Sequence, residues 1–263
     1  MRDRQSIHGS WASRWTFILA ATGSSVGLGN IWKFPYIAGE NGGGAFVLVY
    51  LACIGLVGIP IMMAEVLLGR RGRQSPTNTF RELAVEVGSS RRWAWLGLCG
   101  VVAGMMIFGF YSVVSGWVLA YVVYAAEGSF VGAGVDQIGA LFAGLLADPQ
   151  ELVIWHTLFV ILVAGVVARG VTKGLEVAIR ILMPLLFILL LLLLVYAMTS
   201  GAFGQAVYFL FHVDFSALSW NAVLVALGHA FFTLSLGMGS MMVYGSYMPK
   251  NASIGGTVLI VAA

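Results

Sequence analysis

Charge is scarce in this sequence. Asp, Glu, Lys and Arg make up 10% of its 263 residues, against 60% that are hydrophobic. A mean hydropathy of +0.93 excludes a water-soluble domain and points to a polytopic membrane protein. Cysteine is scarcer still: Cys53 and Cys99 both fall in apolar runs, which argues against a disulfide framework and reads them as packing thiols. Enzyme signatures are missing as well. No HExxH, Walker loop or CxxC occurs, so a membrane enzyme is not expected. Basic residues cluster only between 70 and 92, where a positive-inside loop is the reading preferred over a nucleic-acid face, so no nucleic-acid partner is expected.

What the sequence does have is long apolar runs. About 20 apolar residues cross the roughly 30 Å hydrocarbon layer, and candidate spans lie near 15–38, 45–69, 93–126, 151–168, 177–198 and 220–248. A seventh run starts at Ser253 and is unfinished at Ala263. With the N-terminus inside, every basic residue except Lys33 falls on the cytoplasmic side, from Arg2 to Lys250. The opposite loops carry Glu127, Asp136, Asp148, Glu151 and Asp214. The positive-inside rule therefore supports both the span count and a multi-pass protein of the inner (cytoplasmic) membrane with residues 1–14 as a cytoplasmic leader. The sequon at Asn251 lies on the cytoplasmic side and is discounted.

Between spans, residues 75–86 carry Thr79 followed by Glu82, a capping-box pattern that predicts a short amphipathic helix under the membrane. Residues 135–148 have apolar residues at helical spacing and predict a small extracellular helix. The span near 93–126 is about 50 Å long at 1.5 Å per residue, so it must tilt or protrude. Pro184 is expected to loosen the helix near 177–198.

Two spans carry residues that oppose helix at mid-membrane depth. The first is GSSVGLGN, residues 23–30. Each Gly weakens a helix by roughly 1 kcal/mol relative to Ala, and Ser competes with the backbone for hydrogen bonds. The second is ALGHAFFTLSLGMGSMM, residues 226–242, with His229, Thr233, Ser235, Gly237 and Gly239. Opened backbone at this depth survives only where protein or a polar cavity satisfies it. Freed carbonyls suit a small cation, while a restarting half-helix offers N–H groups to an anion. Gly23 and Gly27 also form a GxxxG pair, for which helix packing is the alternative reading. Asn30 is harder to explain by packing.

The run WASRWTFILAATGSSVGLGNIWKFPYIAGENGGGAFVLVYLACIGLVGIPIMMAEVLLGRRG, with FYSVVSGW and FFTLSLGMGSMMVYGSY further on, resembles the bacterial branch of the neurotransmitter sodium symporters. The resemblance implies an all-α inverted-repeat transporter fold with broken helices in spans one and six. Residues 15–200 would be the first repeat, and residues 201–263 the start of the second, ending within span seven. It implies a sodium-coupled symporter of an amino acid working by alternating access. A truncated, non-transporting fragment of such a transporter is the other expectation, since family members have about twelve spans.

By the same resemblance, one sodium ion would be held by the Ser25 carbonyl, the Asn30 side chain and Thr233. A second would be held by carbonyls of Gly23 and Val26. The substrate carboxylate would meet N–H groups at Leu28 and Gly29 and the Tyr111 hydroxyl. The ammonium would face carbonyls of Ser25, Phe232 and Thr233, with Ser235 nearby. Amine-transporting relatives carry Asp where this sequence has Gly27, which implies a substrate that brings its own carboxylate. Ile107, Tyr111, Phe232 and Met238 would line the side-chain pocket and favour a hydrophobic or aromatic amino acid. Lys33 stands at an outer-gate position usually held by Arg, and His8 at an inner-gate position often held by Arg. Glu65 would support the opened backbone of span six, and His229 replaces a common Gln. Tyr50 and Thr233 match chloride-site positions, and the resemblance leaves chloride dependence undetermined.

Overall fold

The computed structural model describes Trp11, residues 13–249 and residues 252–263. His8, Lys250 and Asn251, singled out above, lie outside the described residues. Ser13 opens the first helix, its side chain accepting from the Thr16 N–H at 3.2 Å. That helix, α1 (Arg14–Ser25), stops where Val26 turns extended at φ −96° and ψ 95°. The chain resumes through a π turn, Gly29–Lys33, into α2 (Phe34–Glu40). The opening is thus narrower than the run of Gly and Ser suggests. Gly23, Ser24 and Ser25 remain helical, because the preceding turn still supplies carbonyl partners, as in the 2.6 Å bond from the Val26 N–H to the Thr22 oxygen.

Next come α3 (Gly44–Cys53) and α4 (Ile59–Gly72), joined by a second π turn, Ile54–Gly58, into one stretch of 29 residues. These two π turns end just before Pro35 and Pro60. A proline lacks an N–H and crowds the carbonyl four residues back; a wider turn accommodates both, with the N–H of Phe34 and Ile59 bonding five residues back to Gly29 and Ile54. Arg70 and Arg71 lie in the last turn of α4, where positive charge suits the helix C-terminus.

The helix below, α5 (Pro76–Glu86), corrects the capping expectation. Ser75, not Thr79, is the N-cap. Pro76 fixes the first helical position, so Thr79 lies inside the helix, fully buried, and its hydroxyl donates to the Gln74 carbonyl at 3.2 Å. A 3-10 turn leads into α6 (Ala94–Ala126), 33 residues long. Then follow α7 (Val135–Ala147) and α8 (Pro149–Ala168), the latter capped by Asp148. A third π turn precedes α9 (Glu176–Thr199), which accommodates Pro184 without ending.

The short α10 (Phe203–Phe211) was not anticipated. The segment leaving it lies so close to α3 that a Cβ at Gly44 would come within 2.5 Å of the His212 carbonyl oxygen. Last are α11 (Trp220–Thr233), α12 (Ser240–Ser246) and α13 (Ile254–Ala262). Between α11 and α12, positive φ at Ser235, Gly237 and Gly239 breaks the helix. Among the described residues, four continuous helical stretches are long and apolar enough to cross a membrane, namely Gly44–Gly72, Arg91–Ala126, Pro149–Ala168 and Lys173–Thr199. The expected first and sixth spans are each two half-helices.

The core lies where α1, α11 and α12 pack against the stretch Gly44–Gly72. Phe17 of α1, Phe46 of α3, Met62 and Val66 of α4, Ala226 of α11 and Met241 of α12 are all fully buried. Contact between α4 and α12 is backbone on backbone: a Cβ at Gly245 would lie 2.6 Å from the Val66 carbonyl oxygen, and one at Gly69 would overlap the Met242 carbonyl. Leu-rich α9 instead turns most of its residues outward. The core therefore forms around the interrupted helices, and it holds the two openings in place.

Candidate functional site

The openings face one another. A directed chain of hydrogen bonds runs between them, in which Tyr50 Oη donates to Thr233 Oγ1 at 3.0 Å and Thr233 Oγ1 donates to Asn30 Oδ1 at 3.1 Å. Asn30 Nδ2 in turn donates to the Ser25 carbonyl at 2.7 Å. Tyr50, Thr233 and Ser25 are buried. Oxygen atoms of an amide, a hydroxyl and a main-chain carbonyl thus gather at one place, the ligand type that a hard cation prefers. The Ser25 hydroxyl oxygen is buried and has no hydrogen-bond partner among the described residues. No cluster of three or more His, Cys, Asp or Glu that could hold a metal occurs among the described residues. The gathered donors are neutral, which suits a monovalent ion better than a divalent one.

Beside this cluster lies a cavity of about 480 Å³. Its lining includes Gly23, Ser25, Leu28, Gly29 and Asn30 from the first opening, and Phe232, Thr233, Ser235 and Met238 from the second. Ile107 and Tyr111 face it from α6. Val26, expected beside Gly23, is not in the lining. Gly23 also packs against α9, since a Cβ there would lie 2.9 Å from Met183 Sδ. Gly23 thus both packs against α9 and lines the cavity.

Tyr111 separates two spaces. Its hydroxyl accepts from the Gly29 N–H at 3.1 Å, and its ring sits 6.3 Å from that of Phe232. Both aromatics also line a second cavity of about 290 Å³ whose walls include Trp32, Lys33 and His229. Lys33 does not simply extend away from the apolar surface: its ammonium lies 5.2 Å from the Tyr36 ring centroid and 5.9 Å from that of Trp32, a cation–π arrangement. His229 is buried and stacks on Phe34 with centroids 5.4 Å apart. Its Nε2 has no hydrogen-bond partner among the described residues.

Glu65 supports the second opening from behind. Its Oε1 accepts from the Gly237 N–H at 2.7 Å, replacing the carbonyl that an unbroken helix would have supplied. Glycine space matters at two wall positions. A Cβ at Gly29 would lie 2.5 Å from Phe232 Cε1, and one at Gly27 would lie 3.0 Å from the Tyr111 hydroxyl.

Sequence reasoning missed several cavity residues. Phe108 and Ser115 lie one helical turn on either side of Tyr111 and line the same cavity, so helical spacing outward from Tyr111 would have found them. Ser24, inside the run at the first opening, lines it too. Phe159 of α8 carries no sequence signal.

The sequence profile of the sodium:neurotransmitter symporter family matches residues 8–133 and 130–263, which together reach across nearly the whole chain. The chain belongs to the sodium:neurotransmitter symporter family. Among its relatives is an uncharacterized sodium-dependent transporter of Bacillus subtilis, 41% identical over 244 residues, covering 93% of this chain and 53% of the relative. One from Haemophilus influenzae is 33% identical over 257 residues, covering 95% of this chain and 56% of the relative. The fold superposes with a TM-score of 0.88 on the crystal structure of MhsT in complex with L-phenylalanine, at 46% identity, covering 97% of this chain and 57% of that one. The chain thus spans about half the length of these symporter-family relatives, and over that half the all-helical transporter fold is shared.

Proposed function

We propose that this protein acts as a sodium-coupled symporter that takes up an amino acid with a hydrophobic or aromatic side chain, by alternating access across the cytoplasmic membrane. The observation that carries the reading is the convergence of the Ser25 carbonyl, Asn30 and Thr233 at the two helix openings. In this reading those oxygens bind one sodium ion, and carbonyls of Gly23 and Val26 contribute to a second. The substrate carboxylate lies against the first sodium, the N–H groups at Leu28 and Gly29, and the Tyr111 hydroxyl. The Tyr111 oxygen accepts from the Gly29 N–H, so its own hydrogen is left to donate to a carboxylate, and the Gly29 N–H turns to the carboxylate by giving up its bond to Tyr111. Carbonyls of Ser25, Phe232 and Thr233, with Ser235, receive the ammonium.

Ile107, Phe232 and Met238 enclose the side chain, and Met238 gives that wall adaptability. Lys33 and His229 belong to the outer approach and Glu65 to the support of span six. The L-phenylalanine held by MhsT fits this substrate class. Residues 15–200 form the first repeat and residues 201–263 open the second, with the N-terminus cytoplasmic as the basic residues indicate.

Uptake of radiolabelled L-phenylalanine into proteoliposomes tests the reading. An inward sodium gradient should drive accumulation, and Asn30→Ala or Thr233→Ala should reduce it at least tenfold, equivalent to about 1.4 kcal/mol. Equal uptake with potassium in place of sodium would end the symport reading, and preference for acidic or basic amino acids would end the substrate assignment.

A further inference from the structure

The basic stretch between residues 70 and 92 is uneven in how its charges are used. Arg71 pairs with Glu86 at 3.2 Å and Arg81 with Glu82 at 3.6 Å. Arg70 donates to the Ala252 carbonyl at 2.6 Å, and buried Arg73 donates to that of Ser246 at 3.0 Å. Arg91 and Arg92 are exposed and have no acidic partner among the described residues. Two positive charges are thus left over at the foot of α6, and the N-terminus of that 33-residue helix adds the positive end of its dipole.

This foot is held in place. The Ser90 hydroxyl accepts from the Arg92 N–H at 3.2 Å, and the Trp93 indole donates to the Ser89 hydroxyl at 3.0 Å. Behind it α5 lies on α6 so closely that a Cβ at Gly97 would come within 2.6 Å of the Thr77 backbone.

Aromatic residues fix its depth in the membrane. Trp93 and Trp95 are 51% and 65% exposed, and Trp and Tyr gather at both bilayer interfaces. From Trp95 to Tyr124 at the other end of α6 is about 43 Å at 1.5 Å per residue, close to the roughly 40–45 Å of a bilayer with its headgroup layers. Arg91 and Arg92 therefore emerge among the headgroups. Above them Trp95, Leu98, Val102 and Met105 are exposed at spacings that place them on one face of the helix, an apolar track continuous with the charged foot.

We propose that Arg91, Arg92 and the start of α6 form a binding site for the headgroup of an anionic phospholipid, whose acyl chain lies along the Trp95–Met105 face. Arg suits a phosphate because its planar fork can donate two parallel hydrogen bonds. A zwitterionic headgroup fits less well, since its ammonium would meet two guanidinium groups while Glu82 and Glu86 are already paired with Arg81 and Arg71. A free phosphate would make no use of the apolar track.

Native mass spectrometry of the full chain in nonionic detergent, titrated with dioleoyl phosphatidylglycerol or dioleoyl phosphatidylcholine, tests the site. The wild-type protein should retain phosphatidylglycerol at least about tenfold more tightly, as expected for two arginines at a headgroup. Replacing both residues, Arg91→Gln with Arg92→Gln, should reduce that preference to within about twofold of parity, and Arg91→Lys with Arg92→Lys should restore part of it. Arg81→Gln, which removes a guanidinium already paired, should leave it unchanged, and excess inorganic phosphate should not displace the lipid. Equal retention of the two lipids by the wild type, a preference that survives the double Gln variant, or an equal loss in Arg81→Gln would overturn the site. Displacement by inorganic phosphate would make it a site for the free anion, and no retained lipid would mean that protein covers this face; either result overturns the lipid assignment. If the double variant does not fold, Arg91→Gln and Arg92→Gln singly should each lose part of the preference. Lipid retention is read without transport, so its outcome is independent of the symport reading.

Discussion

Thr233 donates its hydroxyl hydrogen to the Asn30 side chain at 3.1 Å across 203 residues of sequence. Because Tyr50 donates to Thr233 and Asn30 to Ser25, the contact is the central link of a chain in which each donor polarises the next. Thr233→Ser keeps the hydroxyl and should keep sodium activation near wild type. Thr233→Val keeps the shape and removes the hydroxyl, and should raise the sodium concentration for half-maximal uptake by about tenfold, near 1.4 kcal/mol. Sodium titration of amino-acid uptake reads both.

Tyr50 allows a separate measurement. Tyr50→Phe removes its donation to Thr233 and leaves the ring contacts with Phe34 and His229. Thermal unfolding in detergent should show a loss of about 1 kcal/mol, the net worth of one hydrogen bond, with a smaller effect on sodium activation than Thr233→Val. A larger effect than that of Thr233→Val would mean that Tyr50 bears directly on the ion.

Gly29 is required for space. A Cβ 2.5 Å from Phe232 Cε1 cannot be accommodated unless that ring shifts, and Phe232 lines both cavities. Gly29→Ala should therefore fold, yet bind L-phenylalanine at least tenfold more weakly, a change of about 1.4 kcal/mol. Equilibrium binding in detergent checks this, and wild-type affinity would show that the Phe232 ring moves freely.

Glu65 separates charge from hydrogen bonding. Glu65→Gln retains an acceptor for the Gly237 N–H, whereas Glu65→Ala leaves that donor without its partner. The alanine variant should lose about 1–3 kcal/mol of stability and the glutamine variant clearly less. Thermal unfolding in detergent, followed by the uptake assay, distinguishes a supporting role from a direct one.

At the crossing of α4 and α12 the expected effect is larger. A Cβ at Gly245 would meet the Val66 backbone at 2.6 Å, and backbone cannot rotate away as a side chain can. Gly245→Ala should cost about 3 kcal/mol or more, in the upper range for overpacking. The yield of folded protein by size-exclusion chromatography reads it, with Gly55→Ala, where nothing lies within 4 Å, as the control.

Much of the architecture was legible locally. Apolar run length marked the continuous helices Gly44–Gly72, Arg91–Ala126, Pro149–Ala168 and Lys173–Thr199, because a bilayer demands about 20 apolar residues whatever the fold. Glycines and serines marked both openings, because weak helix propensity acts within a turn or two. Less legible was how far each opening extends. Gly23 to Ser25 stay helical because neighbouring turns hold them. The cap of α5 moved from Thr79 to Ser75 because Pro76 takes the first helical position. The short α10 had no marker beyond its packing against Gly44.

The sequence alone determined that this is a helical membrane protein and where its helices fail, since both follow from interactions among residues close along the chain. Only the tertiary structure decided which atoms meet at those failures. The link from Tyr50 through Thr233 and Asn30 to Ser25, and the pairing of Ser24 with Ser235, join segments up to 211 residues apart. They depend on how α1, α3 and α11 pack, and that packing is set by side-chain volume and close backbone approach across the whole core, which no local pattern records.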